Sequence, residues 1–337
     1  MVDDEPRSEL RKKKWLHDFL VRRGIDIVFL VFMGILALRY WLYISDMQAP
    51  MWDGAVYLIN ARNWLTGTRL YETYRPPLIS WIIAGFWLFT GENWTYVKPL
   101  AALFAIGSGI FLYLTLRGRK GGFFALGVTM LTMLNTQVFF YSSQIYTEGL
   151  SLFFLVATLY FLKSERPNHW LLGGVMIGLT FASRYPIILP CLVIFAVESL
   201  IRKNWNLIAW TVVGALPVLL MTISAVYLKT GTFQVALLND TNLSFFPSSF
   251  YLVNSINIWG PAFLLVPVSF LFRRTYNDNY NYSFIAWFLI SLLFWSSSPT
   301  NLQYRFTVGF TPAVYYLGFL GVENLAKLAR AKNSLNK

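Results

Sequence analysis

Residues 52–78 read WDGAVYLINARNWLTGTRLYETYRPPL and sit between two long apolar runs. A helix running from Asp53 puts Asp53, Tyr57, Asn60 and Trp64 on one stripe and Trp52, Val56 and Ile59 on the adjoining one. A segment patterned in this way lies on a membrane instead of passing through it. Gly67 and Thr68 then turn the chain. Arg75-Pro76-Pro77 is expected to be extended, because a residue before proline is pushed out of the helical region. The stretch therefore holds a carboxylate, Asp53, and a cation, Arg75, at one membrane surface.

Composition sets the class. Of 337 residues, 56% are hydrophobic, 18% aromatic and only 13% charged, which describes an integral membrane protein. The single cysteine, Cys191, lies in an apolar run and excludes both a disulfide framework and a cysteine metal site. With only His17 and His169, histidine metal clusters and Ser-His-Asp chemistry are excluded in the same way. The formal charge of +12 is spread as short basic clusters between apolar spans. That is the signature of membrane orientation, not of nucleic-acid binding.

Residues 1–24 read as a basic cytoplasmic tail, and Asp26 to Ser45 as a first span close to the ~20 residues a bilayer requires. No small-residue cleavage site follows, so this span is a retained anchor. The run Leu78 to Thr90 decides the topology. Its length is interfacial or re-entrant, and leaving it out of the count gives spans at 97–116, 121–138, 149–162, 170–183, 185–200, 206–228, 251–271, 281–296 and 305–323. The clusters Arg117/Arg119/Lys120, Lys163/Arg166, Arg202/Lys203, Arg273/Arg274 and Lys327/Arg330/Lys332/Lys337 then all fall in the cytoplasm, as the positive-inside rule demands. The expected fold is an all-α polytopic membrane protein of about ten transmembrane helices. Amphipathic juxtamembrane helices belong to its first outer loop, 46–96, within one transmembrane domain, 25–325. A second basic tail, 326–337, puts both termini in the cytoplasm, and no soluble domain is appended.

Charges at membrane depth are costly, about 2.5–3.5 kcal/mol each on insertion scales, so those retained at span ends are functional candidates. The outer-face set is Asp53, Glu72, Arg75, Glu92, Glu148, Arg184, Asp240 and Arg305, with Arg62, Arg69, Lys98 and Lys229 in addition. Asp53 suits a base for an incoming hydroxyl, or a plain helix N-cap. Arg75, pinned by two prolines, suits a phosphate through its paired donors, or a lipid headgroup. Glu148 is a second carboxylate, orders an acceptor or shares a divalent metal with Asp53, or else answers the helix dipole. Arg184 and Arg305 complete a phosphate cage, or snorkel to the interface. Tyr57, Tyr74, Gln144 and Tyr304 are weaker candidates for sugar or acceptor contacts. Trp52, Trp64, Tyr71 and Trp94 fit an interfacial belt. Asn93-Trp94-Thr95 and Asn242-Leu243-Ser244 match glycosylation acceptors, and Gly121-Gly122 and Gly173-Gly174 read as turns or helix-packing positions, not phosphate loops.

In order along the chain stand an acid after the first span, then Tyr57, Ala61, Gly67, Leu70 and Tyr71. Arg75-Pro76-Pro77-Leu78 follows, then Glu148 opening a span, and Tyr304-Arg305-Phe306 running on to Pro312. This series resembles the C-type membrane glycosyltransferases that use polyprenyl-phosphate sugars, the group containing dolichyl-phosphate-mannose protein mannosyltransferases and the lipid A aminoarabinose transferase. The resemblance implies an inverting transfer from a lipid-phosphate donor, such as a dolichyl-phosphate sugar, on the outer face of the plasma membrane. The acceptor hydroxyl belongs to a glycan, lipid or protein. Asp53 matches the family's catalytic acid. Arg75 stands where relatives carry Lys or His and would bind the lipid phosphate, Glu148 stands where many carry Asp, and Arg184 and Arg305 fall at further basic positions. The chain departs from the pattern in having Gly54 in place of a second acid and no soluble domain after the last span. Two other readings stay open: a transporter or flippase that captures an anionic headgroup without breaking it, and a non-catalytic assembly subunit.

Overall fold

A computed structural model describes residues 7–232, 248–297 and 303–335. Asp240 and the acceptor pattern at Asn242 lie outside the described residues. Among those described, every regular element is helical. In chain order α1 (Arg7–Ser45), α2 (Trp52–Thr66), α3 (Leu78–Thr90) and α4 (Trp94–Val97) are followed by α5 (Pro99–Lys120), α6 (Gly122–Leu134), α7 (Thr136–Ser143) and α8 (Thr147–Lys163). Next come α9 (Pro167–Ser183), α10 (Ile188–Arg202) and α11 (Trp205–Thr230). The last part carries α12 (Phe250–Val253), α13 (Ser255–Trp259), α14 (Leu265–Phe270), α15 (Arg273–Asn277), α16 (Asn279–Ser296) and α17 (Thr311–Leu335).

The first helix shows why the assembly needs a membrane. Phe29, Phe32, Met33, Leu36 and Tyr40 recur at helical spacing and are buried, whereas Leu30, Ile35 and Leu38 on the other side are apolar and exposed. Both faces are hydrophobic, so one meets protein and the other meets lipid. By length and composition four helical stretches can cross a bilayer: Phe19–Ser45, Trp94–Lys120, Tyr185–Arg202 and Trp205–Thr230. The bent pair α6 and α7 makes a fifth if it is one span. The other expected crossings fall on helices that are shorter, broken or more polar. α8 and α9 have 17 residues each, and 251–271, expected as one span, is interrupted. It runs through α12, α13 and a 3-10 turn at Gly260–Leu264 before α14, and Gly260 takes φ 66° at the break. The termini also differ from expectation. α1 continues back to Arg7 and α17 forward to Leu335, so the described parts of both basic tails are helical.

α3 has 13 residues. At 1.5 Å per residue it reaches about 20 Å, well short of the ~30 Å hydrocarbon core. It packs on α2 instead, with the Trp64 and Trp81 rings edge-to-face at 5.6 Å and Ser80 Oγ donating to the Tyr57 carbonyl at 3.0 Å. Behind them α8 is buried along almost its whole length and forms the centre of the bundle. α9 and α11 pack with unusually close backbones. A Cβ on Gly174 would meet the Thr211 carbonyl, and one on Gly214 would meet the Leu171 carbonyl. Gly174 is thus a packing position, while Gly121, at φ 90°, turns the chain from α5 into α6.

The bend of 59° between α6 and α7 centres on Asn135. Its Oδ1 accepts from the Gln137 and Val138 amides at 3.0 and 3.2 Å and so caps α7. Its Nδ2 donates to the Ile258 carbonyl at 2.6 Å and to Tyr315 Oη at 3.1 Å, tying one interrupted helix to the other.

Candidate active site

Five elements deliver their ends to one place. The N-cap of α2 is Met51, so Asp53 sits in the first turn and its carboxylate is free to look elsewhere. It accepts from Arg75 Nη2 at 3.0 Å and from Arg305 Nη1 at 2.5 Å. The simple N-cap alternative for Asp53 is therefore not what the helix uses. Arg75 arrives from the loop after Gly67, which turns at φ 74° as expected. Pro77, expected to be extended, instead takes helical angles (φ −85°, ψ −18°) because it caps α3. Arg305 comes from a 3-10 turn at Tyr304–Gly309 that precedes α17.

Glu148 opens α8 and Arg184 closes α9, and the two meet at 2.5 Å while both are buried. The Arg184 guanidinium also lies over the Phe306 ring at 5.0 Å and near Trp295 at 5.9 Å, and those two rings stack at 4.2 Å. An acid at a helix N-terminus gains from the dipole, but here it also balances a buried cation, which is the stronger constraint. Arg305 sits in the field of both Asp53 and Glu148, so the two ion pairs form one electrostatic unit.

The packing also explains the missing second acid. A Cβ on Gly54 would come 3.3 Å from the Ile145 carbonyl and 3.5 Å from Ile145 Cβ, inside the turn that leads to Glu148. Anything larger would push α2 away from α8. Gly54 is the contact that lets Asp53 approach the second pair.

Among the weaker candidates, Tyr57 and Tyr74 do gather at the cluster, with their rings 5.4 and 6.0 Å from the Arg75 guanidinium carbon. Gln144 is buried in the 144–146 turn, its carbonyl accepting from the Tyr146 amide at 2.8 Å. Tyr304 turns aside to Asn254 at 3.2 Å and stacks on Phe250. Glu72 is expected only as one of the outer acids, yet it accepts from Arg75 Nε and thus holds the guanidinium whose Nη2 donates to Asp53. Its carbonyl is fixed in turn by Asn60 Nδ2 at 3.1 Å. The spacing of three residues before Arg75 was the available signal. Tyr146, whose hydroxyl donates to Met51 Sδ at 3.4 Å, is another neighbour of Asp53 that the sequence did not mark.

Electrostatically the cluster balances three carboxylates, Asp53, Glu72 and Glu148, against three guanidinium groups. Burial pushes the Asp53 carboxyl up, but the Arg75 hydrogen bond and the charges of Arg75 and Arg305 outweigh it and hold Asp53 below its ordinary 3.8. Arg305 Nε is buried and has no hydrogen-bond partner among the described residues. A buried donor left open in this way points to an acceptor supplied from outside. No group of three or more His, Cys, Asp or Glu side chains gathers among the described residues, and both Asp53 and Glu148 already have guanidinium partners. That donor set does not fit a divalent cation without first breaking ion pairs.

The chain is similar to known proteins over part of its sequence and in its fold. Residues 74–228, just under half of the chain, match the family model described as dolichyl-phosphate-mannose-protein mannosyltransferase. The fold is similar to that of ArnT from Cupriavidus metallidurans bound to undecaprenyl phosphate, with TM-score 0.71 and 15% identity over 87% of this chain and 60% of that one. The apo state of ArnT gives TM-score 0.69 and 16% identity over 92% and 62%. An Archaeoglobus fulgidus oligosaccharyltransferase tethered with an acceptor peptide gives TM-score 0.56 and 13% identity over 91% and 50%. The chain thus spans about three fifths of the ArnT structures and half of the oligosaccharyltransferase. No curated protein matches it. The resemblance to the C-type membrane glycosyltransferases therefore rests on the whole fold and on the 74–228 segment.

Proposed function

We propose that this chain, sharing the C-type membrane glycosyltransferase fold, transfers a sugar with inversion from a polyprenyl-phosphate donor to an acceptor hydroxyl on the outer face of the plasma membrane. Asp53, held between Arg75 and Arg305 at a membrane-surface helix, is the observation that carries the reading. A carboxylate flanked by two guanidinium groups supports a site in which an acceptor oxygen is deprotonated beside a leaving phosphate.

In the free protein Asp53 is masked by its two arginines. An incoming donor phosphate competes for the same guanidinium groups, and the open Nε of Arg305 gives it a first contact. As Arg75 and Arg305 turn to the phosphate, Asp53 is released to accept the acceptor proton. The acceptor oxygen then attacks the anomeric carbon from the face opposite the phosphate. The carbon–oxygen bond to phosphate breaks, and its electron pair leaves on the polyprenyl phosphate, where the guanidinium groups stabilise the added charge. Arg184, anchored by Glu148, supplies a third positive charge and fixes the wall of the site. Tyr57 and Tyr74 flank Arg75.

The test is reconstitution in liposomes with a labelled polyprenyl-phosphate sugar. Asp53→Asn should insert like the parent chain, unfold at a somewhat lower midpoint because two ion pairs are lost, and lose about 10²–10⁴-fold in transfer, the range for a general base. Transfer at the parental rate would remove Asp53 from the mechanism. Movement of intact donor across the bilayer without transfer would instead select the flippase reading.

A further inference from the structure

Glu148 opens α8 at the cluster described above, and Lys163 closes it, about 22 Å away at helical rise. A second, separate set of charges gathers at that far end. Lys163 Nζ lies 2.5 Å from Glu198 Oε1 and bonds Ser283 Oγ at 3.1 Å and the Tyr280 carbonyl at 3.2 Å. Arg202 donates to the carbonyls of Lys163 and Ser164 at 2.7 and 2.6 Å, which closes off the last turn of α8. These residues wall a cavity of about 780 Å³ between α5, α8, α9, α10 and α16, within the volume range of small-molecule sites.

The charge in that cavity is not fully used. Lys163 and Arg202 share Glu198, but Arg119 on the opposite wall makes no hydrogen bond or ion pair among the described residues. Arg119, Lys163 and Arg202 face Glu165 and Glu198 in the lining, and the nearby Asp278, which acts on Arg119 and Lys163, is itself paired with Lys120, so a positive surplus remains; α9 and α11 both start beside the cavity with their positive dipole ends. One side is apolar: Leu114 lines the wall and is 43% exposed, and next to the lining residues Ile201 and Asn204 stand Leu200 and Trp205, 74% and 81% exposed. A free phosphate would need only the polar half of this lining. An amphiphile uses both.

We propose that this cavity binds the phosphate headgroup of an anionic membrane lipid, with Arg119 as the partner left open for it and the acyl chains passing out along Leu114 and Trp205. Basic pockets between membrane helices recognise lipid headgroups by this combination of charge and flanking apolar surface. The site is independent of sugar transfer, since it sits at the other end of α8 and shares no residue with the Asp53 cluster.

The full chain, delipidated in detergent, is titrated with phosphatidylglycerol, phosphatidylcholine or inorganic phosphate while its thermal unfolding midpoint is followed. Phosphatidylglycerol should raise the midpoint by several degrees, while the other two leave it unmoved. Arg119→Gln should unfold like the parent without lipid but need about tenfold more phosphatidylglycerol for the same shift. Leu114→Trp, which narrows the apolar exit, should lose the shift as well. Equal stabilisation by phosphatidylcholine, full stabilisation by inorganic phosphate alone, or an unchanged response in both variants would overturn the proposal.

Discussion

Asp53 illustrates how a side chain's partners decide its chemistry. Its folded pKa is depressed, so its ion pairs contribute fully above the ordinary 3.8 and are lost only as pH falls through the lower folded value. In the free protein the acid limb set by Asp53 therefore lies below 3.8. Once a donor phosphate has drawn Arg75 and Arg305 away, the same carboxylate loses its stabilising cations and gains a negative neighbour, and both changes raise its pKa. Because kcat/KM reports the free enzyme and kcat the bound complex, the acid limb of kcat should lie at higher pH than that of kcat/KM. Coincident limbs in a pH series would show that Asp53 is never unmasked. Glu72 belongs to the same scale. Glu72→Gln keeps the shape but removes a charge from Arg75, and should raise the donor KM several-fold with little change in kcat, since it acts only by positioning. The five charged residues that the fold brings together were legible as candidates in the sequence because charge is rare in this chain and each lies beside an apolar run. Glu72 does not stand out, because its spacing of three before Arg75 permits an ion pair but is equally common for an acid that faces water.

Among the elements, what brings the site residues together is close packing at small side chains. Gly54→Ala puts a methyl 3.3 Å from the Ile145 carbonyl, so α2 must shift by a few tenths of an ångström against the turn before Glu148. Transfer should fall while the unfolding midpoint barely moves, and unchanged turnover would show that the gap between α2 and α8 is not set there. Gly214→Leu has no such slack, because even a Cβ would collide with the Leu171 carbonyl of α9. Overpacking costs about 1–3 kcal/mol and more against backbone, so this variant should be lost from the folded, detergent-soluble fraction. Asn135→Ala removes a cap and two donated bonds at the α6–α7 bend, and should destabilise by about 1–3 kcal/mol in a reversible unfolding assay. Apolar run length located the helices well, but it read 251–271 as continuous. Gly260-Pro261 was the visible punctuation, and an apolar count does not weigh it.

Over the whole molecule, the charges segregate to two ends of one bundle. Asp53, Arg75, Glu148, Arg184 and Arg305 converge at one end, while Arg117 pairs with Asp26, Lys120 with Asp278 and Lys163 with Glu198 at the other. The sequence anticipated this separation only through the decision that Leu78 to Thr90 does not cross, since counting it as a span reverses every later loop. The short α3, packed on α2, favours that decision on length. The basic loops predict an orientation that labelling can test, and Cys191, the single cysteine and fully buried, leaves a silent background for it. Glu92→Cys lies on the site end beyond α3, and Gly118→Cys lies at the far end of α5 with open space around its Cβ. With a membrane-impermeant maleimide on intact cells, the first should label at once and the second only after permeabilisation. If the two sites label the other way round, the site end faces the cytoplasm instead. A lipid-linked donor presented on the outer leaflet could not then reach the guanidinium cluster, and the outward-facing reading of the site would fall.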